Sequence, residues 1–379
     1  MSGAVYLDYN ATAKVRPQAV QAVASTLAMG GNPSSAHAAG RAARAMVEAA
    51  RADVAALVGA EPAAVTFVSG GTEANALAID SAIAAGFTRL IVGATEHDAV
   101  RAAAESSQLG VEVWPVDAAG VADMGWLANA LGSGGGGGRA LVCLMLANNE
   151  TGVIQPVTEA ARLVREAGGW LHVDAIQAAG KIAIDFNALG ADTLALSAHK
   201  FGGPQGTGAL IAGPRAVLSR RLHGGGQERG RRAGTENTPG IAGFGAAAHA
   251  ALAELPSAAV QAGWRDALAD RLVAAGAVVI GADATRLPQT LCFATPGYAS
   301  ELQVIALDLA GVMVSAGSAC SSGKVKPSGI LQAMGHADLA AFSIRVSGGW
   351  ASTAADWERC GDAWLEAFKA RSVRRREFA

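Results

Sequence analysis

A lysine stands at the end of an apolar, strand-like run and directly before a glycine-rich turn. The segment "LALSAHKFGGPQGTGAL", residues 194–210, predicts a buried strand, then Lys200, then a second strand. Most lysines are simply solvated charges, whereas the position at the end of a buried strand favours a chemical role. From this segment alone the two interpretations are equally well supported. The role of Lys200 therefore depends on which groups the rest of the chain brings to this connection.

A second segment predicts a site for phosphate. In "VTFVSGGTEANALAI", residues 65–79, a strand runs into Gly70, Gly71 and Thr72, and a helix follows. Small residues at such a turn expose backbone N–H groups at the positive end of the helix, where anions bind. The dinucleotide fingerprint G-x-G-x-x-G and the G-K-[ST] ending of the nucleotide-triphosphate loop are absent, so we expect a phosphate-bearing cofactor of another kind. An ordinary capped turn is the alternative.

A third segment supplies a carboxylate. In "WLHVDAIQAAGK", residues 170–181, an apolar strand delivers Asp174 at its C-terminal end, and Gln177 follows. Ligands of open α/β sheets bind beyond the carboxyl ends of the strands, so Asp174 is expected over the site. A carboxylate and a lysine near a phosphate site are what a pyridoxal phosphate enzyme needs, the lysine for a Schiff base and the carboxylate for the pyridinium nitrogen.

The four cysteines are too scattered for a disulfide framework or a metal-ligand motif, and no metal site is expected. Cys143 in "ALVCLMLA" and Cys292 in "QTLCFAT" lie in strand-like runs, where a cysteine usually behaves as a small buried hydrophobe. Cys360 fits an amphipathic helix. Cys320, in "SAGSACSSGKVKPSG", has small, polar and glycine neighbours, which favour an accessible and reactive thiol.

Apolar runs and helical patterns alternate from residue 65 onward. The predicted strands are "VTFV", "RLIVG", "VEVWPV", "ALVCLMLA", "WLHVD", "TLALS" and "GALIAG", with helices at about 72–85, 98–109 and 157–168. This alternation predicts an α/β fold with a mostly parallel sheet flanked by helices. A boundary near "AELPSAA" predicts a large domain over 13–255 and a smaller α+β domain formed by 1–12 and 256–379. The run "GSGGGGG" predicts a loop inside the large domain.

Length and charge limit the class of protein. A chain of 379 residues predicts two domains or one large domain with an appendage, and a net charge of -2 argues against a nucleic-acid binder. The N-terminal segment "MSGAVYLDYNATAKVRP" has no signal-peptide pattern, and no apolar run approaches the length of a membrane span. We therefore expect a cytoplasmic protein that contacts neither nucleic acid nor membrane.

Taken together, the motifs resemble those of a known family. The chain resembles a cysteine desulfurase of the class V aminotransferase group, a fold type I pyridoxal phosphate enzyme, from about residue 6 to residue 347. The motifs that carry this resemblance are "LDYNAT", "GNPSSAH", "SGGTEANALAI", "TEHDAV", "ANNETG", "HVDAIQ", "SAHKFGGPQGTGAL", "HGGGQERGRRAGTEN" and "GSACSS". Any one of them alone would be weak evidence.

The resemblance implies how the cofactor, pyridoxal 5'-phosphate, is held. Lys200 would be the Schiff-base lysine, Asp174 the partner of the ring nitrogen and Gln177 the partner of the phenolic oxygen. His97 resembles the histidine that stacks on the ring and assists proton transfer, although a lone histidine is more often structural. The residues that resemble phosphate ligands are Gly71, Thr72, Ser197 and His199.

The resemblance also implies residues for the substrate, for the partner subunit and for sulfur. Asn149 and Arg345 would lie near the substrate carboxylate, which suits a bidentate guanidinium group. Thr235 in "RAGTEN" resembles a phosphate ligand that the other subunit of a homodimer supplies. Cys320 resembles the cysteine that accepts sulfur.

The implied reaction removes sulfur from L-cysteine, giving L-alanine and a persulfide on Cys320. The sulfur would pass to an acceptor protein such as an iron–sulfur scaffold or a tRNA-thiolation protein. One alternative is another class V enzyme, such as a selenocysteine lyase or a transaminase, and the cysteine in its glycine-rich segment argues against a transaminase. Another is a non-catalytic interaction protein, which predicts loss of the cofactor residues, whereas Lys200 and Asp174 are present.

Overall fold

A computed structural model describes residues 3–132, 138–317 and 327–377 of the chain, with side chains up to residue 371. Cys320 lies outside these ranges. Within them the chain forms thirteen strands: β1 (Val5–Tyr6), β2 (Val65–Val68), β3 (Arg89–Gly93), β4 (Val111–Trp114), β5 (Ala140–Met145), β6 (Trp170–Asp174), β7 (Thr193–Ser197), β8 (Gly208–Ala212), β9 (Val278–Val279), β10 (Thr290–Ala294), β11 (Val312–Met313), β12 (Ser315–Ala316) and β13 (Ser343–Ser347).

The same ranges contain twelve α-helices: α1 (Pro17–Met29), α2 (Ala38–Leu57), α3 (Gly71–Ala84), α4 (Asp98–Glu105), α5 (Met124–Leu131), α6 (Val157–Glu166), α7 (Phe186–Leu189), α8 (Thr238–Ala258), α9 (Gln261–Ala274), α10 (Ser300–Leu309), α11 (Gly329–Ala333) and α12 (Ala354–Glu377). The helix predicted over about 98–109 ends at Glu105, ahead of Gln108, whose φ of 63° is not helical. In the part of the chain that the structure describes, no helix is long and apolar enough to cross a membrane.

The large sheet has the strand order β2-β8-β7-β6-β5-β3-β4. Strands β4, β3, β5, β6 and β7 run parallel, whereas β8 is antiparallel to both β7 and β2. The prediction of an α/β fold with a mostly parallel sheet is confirmed. Every residue of β5, β6, β7 and β8 is buried, which is why these strands read as continuous apolar runs and not as alternating ones.

The strand register brings the segments that carry the predicted site residues to one edge of this sheet. Met145 pairs with Asp174, so β5 and β6 end side by side. Val68 and Ser197 both pair with Gly208, so β2 and β7 end at the same edge as well. Gly208 allows this close approach, because a Cβ there would lie 2.7 Å from the Cα of Gly70.

The C-terminal third builds a second sheet and a second core. Its four-stranded antiparallel sheet has the order β12-β13-β10-β9, and β1 of the N-terminal arm pairs in parallel with β11. Leu7 packs in the same apolar core as Phe293, Trp357 and Trp364. Helix α8 continues past residue 255, so the predicted domain boundary falls inside a helix. The division into 13–255 and 1–12 with 256–379 remains a prediction.

Candidate active site

A cavity of about 270 Å³ lies at the carboxyl ends of the parallel strands. Its walls include Met145, Ala147 and Ile176. The sequence-predicted residues among its walls are Gly71, Thr72, His97, Asn149, Asp174, Gln177, Ser197, His199 and Lys200. Residues from five separate segments of the chain thus line one cavity. The sequence alone does not show that these segments meet.

Lys200 ends a short 3-10 turn that follows β7. Its Nζ donates hydrogen bonds to the backbone oxygens of Asn10 at 2.7 Å and Ala11 at 2.9 Å. Burial lowers the pKa of Lys200 to about 8, and the positive charge of Arg345 acts in the same direction. The amine is therefore much more available in its neutral form than that of a solvated lysine, as attack on a carbonyl requires.

Asp174 is fixed at the end of β6 by two hydrogen bonds. Its Oδ1 accepts from the N–H of Ile176 at 3.0 Å, and its Oδ2 accepts from Asn75 Nδ2 at 2.8 Å. Burial raises the pKa of Asp174, and these two hydrogen bonds oppose that rise because they stabilise the carboxylate. A positively charged partner in the cavity would act against the rise as well, because it favours the carboxylate.

Behind Asp174 lies a polar chain that the sequence analysis missed. Asn75 Oδ1 lies 2.9 Å from His172 Nε2, and His172 Nδ1 lies 2.9 Å from Thr193 Oγ1. Burial lowers the pKa of His172 to about 3, so the imidazole is neutral and orients the Asn75 amide. The available signal was a polar residue within each of two apolar runs, "ANALAI" and "WLHVD".

The side of the cavity at which phosphate ligands were predicted is formed by the start of α3 and the end of β7. Gly71 begins this 14-residue helix, and a Cβ at Gly71 would clash with the side chain of Ile176. His199 Nδ1 lies 3.2 Å from Thr12 Oγ1. Burial lowers the pKa of His199 to about 4, with Lys200 contributing, so this ring is a neutral hydrogen-bonding group.

His97 combines a structural position with a place in the cavity wall. It is the N-cap of α4, and its Nδ1 accepts a hydrogen bond from the N–H of Ala99 at 3.0 Å. This bond leaves Nε2 as the nitrogen that carries the proton of the neutral ring. His97 therefore both caps helix α4 and lines the cavity.

Asn149 and Arg345 lie together, but only Asn149 lines the cavity. Arg345 donates through one terminal nitrogen to the backbone oxygen of Asn149 at 3.0 Å and through the other to Asp8 Oδ1 at 2.7 Å. Asn149 Oδ1 and Arg345 Nε are buried and have no hydrogen-bond partner among the described residues. Because Asn149 lines the cavity, its Oδ1 can accept a hydrogen bond from a ligand there.

Glu150, which the sequence analysis did not single out, lies close to Gly317 and to Ser328, described residues on either side of the segment 318–326. Ser328 Oγ donates a hydrogen bond to Glu150 Oε2 at 2.6 Å, and a Cβ at Gly317 would lie 3.0 Å from the same oxygen. Burial raises the pKa of Glu150 to about 7, while Ser328 and Arg345 oppose the rise. Cys320 itself lies outside the described residues.

Two other sets of residues are placed away from the cavity. Thr235 is exposed and lines a separate cavity of about 90 Å³ with Ser69 and Arg232. The remaining cysteines are buried: Cys143 and Cys292, as expected, and Cys360 on helix α12. Burial raises the pKa of each of these thiols, that of Cys360 to about 12, so none of them is a ready thiolate.

Comparison with known proteins gives a consistent result. The family described as Aminotransferase class-V matches residues 5–359. A cysteine desulfurase from Cereibacter sphaeroides is 43% identical over 366 residues, which cover 94% of this chain and 93% of that protein. The crystal structure of a NifS-like protein from Rickettsia africae superimposes with a TM-score of 0.88 at 31% identity, covering 97% of this chain and 99% of that one.

A second similar structure, that of SspA in complex with cysteine, has a TM-score of 0.77 at 28% identity and covers 90% of this chain and 98% of that one. The family match spans nearly the whole described chain, including the segments that line the cavity. This chain belongs to the class-V aminotransferase family and, within it, to the cysteine desulfurases.

Proposed function

We propose that this protein removes sulfur from L-cysteine, releasing L-alanine and retaining the sulfur as a persulfide on Cys320. The observation that carries the proposal is the single cavity of about 270 Å³ in which Lys200, Asp174 and Asn149 meet. The cysteine desulfurase relative and the cysteine complex of SspA support L-cysteine as the substrate.

The cavity fits pyridoxal 5'-phosphate as the cofactor. The start of α3 and the donors at the end of β7 suit its phosphate, through Gly71, Thr72, Ser197 and His199. Asp174 would hold the proton of the ring nitrogen, and the Gln177 amide would donate to the phenolic oxygen. Asn149 Oδ1, buried without a partner among the described residues, is a further polar contact for a bound molecule.

When bound, the cofactor supplies an electron sink that acidifies the α-carbon of the substrate. Lys200, with its pKa lowered to about 8, would hold the cofactor through its aldehyde and would be able to carry a proton at Nζ once substrate is bound. His97 Nε2 provides a second proton-carrying atom in the cavity wall. The guanidinium of Arg345, oriented by Asp8, serves the substrate carboxylate together with Asn149.

The sulfur step needs a thiolate that can reach the substrate. The thiolate of Cys320 attacks the substrate sulfur, the carbon–sulfur bond breaks, and a sulfur–sulfur bond forms. The electron pair left on carbon takes up a proton, which gives alanine, so one cysteine yields one alanine and one persulfide. The buried thiols of Cys143, Cys292 and Cys360 are not suited to this attack.

Beyond the single chain, we propose a homodimer in which Thr235 contacts the cofactor phosphate of the partner's site. Its exposure, away from the main cavity of its own chain, supports that arrangement.

We also propose the division into a large domain, 13–255, and a small one, 1–12 with 256–379. The persulfide would be passed to a sulfur-acceptor protein such as an iron–sulfur scaffold, and the cytoplasmic location stays a prediction.

The test is the formation of alanine by the purified protein supplied with pyridoxal 5'-phosphate and L-cysteine. Alanine in amounts that exceed the enzyme concentration, in the presence of a reductant, is the expected result. Turnover of selenocysteine but not cysteine would favour a selenocysteine lyase, and a keto acid product would favour a transaminase. A protein that binds no cofactor would favour the non-catalytic interaction protein.

A further inference from the structure

A second lysine, Lys181, is buried beside the cavity, and its hydrogen-bond partners among the described residues include no carboxylate. It is 8% exposed, and its Nζ donates to Gln177 Oε1 at 2.8 Å and to Asn10 Oδ1 at 2.9 Å. Burial lowers the pKa of Lys181 well below its usual value, and the positive charges of Lys200 and Arg345 act in the same direction. Lysines are rarely buried unless they are paired with an opposite charge, so this arrangement calls for a functional explanation.

The lysine determines which way two amide groups face. A side-chain amide can be rotated to exchange its oxygen and its nitrogen, and its surroundings decide between the two orientations. Two N–H groups, present on a lysine amine in either protonation state, are directed at the two amide oxygens. The nitrogen ends of both amides must therefore point elsewhere.

Each nitrogen end is directed toward a part of the candidate active site. Gln177 Nε2 donates to the backbone oxygen of Asn10 at 2.9 Å, an oxygen that also accepts from Lys200 Nζ at 2.7 Å. Asn10 Nδ2 donates to the backbone oxygen of Asn149 at 3.2 Å and to Thr290 Oγ1 at 3.0 Å. Gln177, Asn149 and Lys200 all line the 270 Å³ cavity.

We propose that Lys181 is a positioning residue, which holds the Gln177 amide with its nitrogen toward the cofactor and the Asn10 amide with its nitrogen toward Asn149. The inference rests on the proposed function, because it makes Gln177 Nε2 the hydrogen-bond donor to the phenolic oxygen of the cofactor. Lys181 does not line the cavity and does not itself contact the reacting atoms. It acts through the two amides.

The test is the visible absorption of the cofactor in the Lys181→Met holoprotein. Methionine has a similar length but offers no N–H, so Gln177 loses its orienting partner while the site remains packed. A hydrogen bond to the phenolic oxygen affects both the absorption band and cofactor retention. We expect a displaced band, a changed pH dependence of that band and a cofactor dissociation constant raised about tenfold, as the loss of one hydrogen bond implies.

Matched variants separate positioning from packing. Lys181→Gln retains an N–H donor, and its band is expected to lie closer to that of the wild type. In a Gln177→Leu background, Lys181→Met should displace the band no further, because the group that Lys181 orients is gone. Lys14→Met, at an exposed lysine, is the control and should leave the spectrum unchanged.

Two outcomes would overturn the inference: a wild-type spectrum and cofactor affinity in a folded Lys181→Met protein, or a full displacement of the band that persists in the Gln177→Leu background. If Lys181→Met does not fold, Lys181→Leu, which also lacks an N–H donor, takes its place and is compared with and without Gln177→Leu under the same two criteria. Failure of the proposed function is distinct, because the wild-type protein would then bind no cofactor or form no alanine.

Discussion

Asn75 Nδ2 donates a hydrogen bond of 2.8 Å to Asp174 Oδ2, and the other end of the same amide contacts His172. Asn75→Ala is expected to leave a buried carboxylate oxygen and a buried imidazole nitrogen without partners. We expect the free energy of unfolding to fall by about 2 kcal/mol and cofactor binding to weaken. Chemical denaturation of the cofactor-free protein and a cofactor titration measure the two effects.

Asn129→Ala is the matched control, because Asn129 is exposed on helix α5 and should tolerate the change. Equal stability and equal cofactor affinity in Asn75→Ala and the control would show that the amide does not support Asp174.

Lys200→Ala is expected to abolish alanine formation. Among the described residues, Lys200 is the lysine that lines the 270 Å³ cavity, and its lowered pKa of about 8 suits an amine that bonds to an aldehyde. Some cofactor should still bind through its phosphate. Borohydride reduction followed by peptide mapping of the wild-type protein locates the covalent bond, and a reduced adduct at Lys181 in place of Lys200 would refute the assignment.

The buried carboxyl of Glu150 predicts a pH dependence of stability. Burial raises the pKa of Glu150 to about 7 from an ordinary value of 4.5, so between these two values the folded protein binds more protons than the unfolded chain. Stability from this group is therefore present at low pH and is lost as the pH rises toward 7. The loss amounts to at most about 3 kcal/mol.

Glu150→Gln should remove this contribution, because the amide does not titrate and can still accept the hydrogen bond from Ser328. Denaturant unfolding at several values between pH 5 and pH 8 gives the difference between variant and wild type. That difference should grow in favour of the variant as the pH rises. Glu159→Gln, at an exposed position, is the control, and parallel curves for wild type and Glu150→Gln would rule out the raised pKa.

Thr235 provides a test of the dimer. Thr235→Glu places a negative charge where a phosphate ligand is proposed, and each of Thr235→Glu and Lys200→Ala alone should be inactive. If Thr235 serves the partner's site, a mixed dimer of these two variants has one intact site, and equilibrated mixing should restore about a quarter of the wild-type activity. No recovery, although mixed dimers form, would mean that Thr235 acts within its own chain or not at all.

The parts of the fold that the sequence predicted are those in which the local pattern and the tertiary structure agree. Strands β2, β3, β6 and β7 have the predicted bounds, because each is a short apolar run that ends at small or polar residues. The predicted helix over about 98–109 was too long, since apolar spacing does not report the non-helical φ of Gln108. The antiparallel placement of β8 follows from the short connection that carries Lys200, but its pairing with β2 does not.

Apart from the residues that the family resemblance named, such as Asn149 and Ser197, the candidate site was predicted where a residue carries its own chemical signal. Asp174 and Lys200 were identified because a charge follows a buried strand. Asn75 and Lys181 were not, because their importance depends on partners that are distant in sequence or on a burial that no local pattern encodes. Glu150 was missed for the same reason: its hydrogen bond with Ser328 joins segments that are far apart in the chain.

The central claim is that Cys320 accepts the sulfur, and the most direct measurement is alanine formation from L-cysteine by Cys320→Ser in the presence of a reductant. A serine hydroxyl is not appreciably ionised near neutral pH and attacks sulfur poorly, whereas the residues of the 270 Å³ cavity are unchanged. Cofactor binding and the spectral response to cysteine should therefore persist, while alanine formation falls about a hundredfold or more. Near-normal alanine formation by the serine variant would contradict the account.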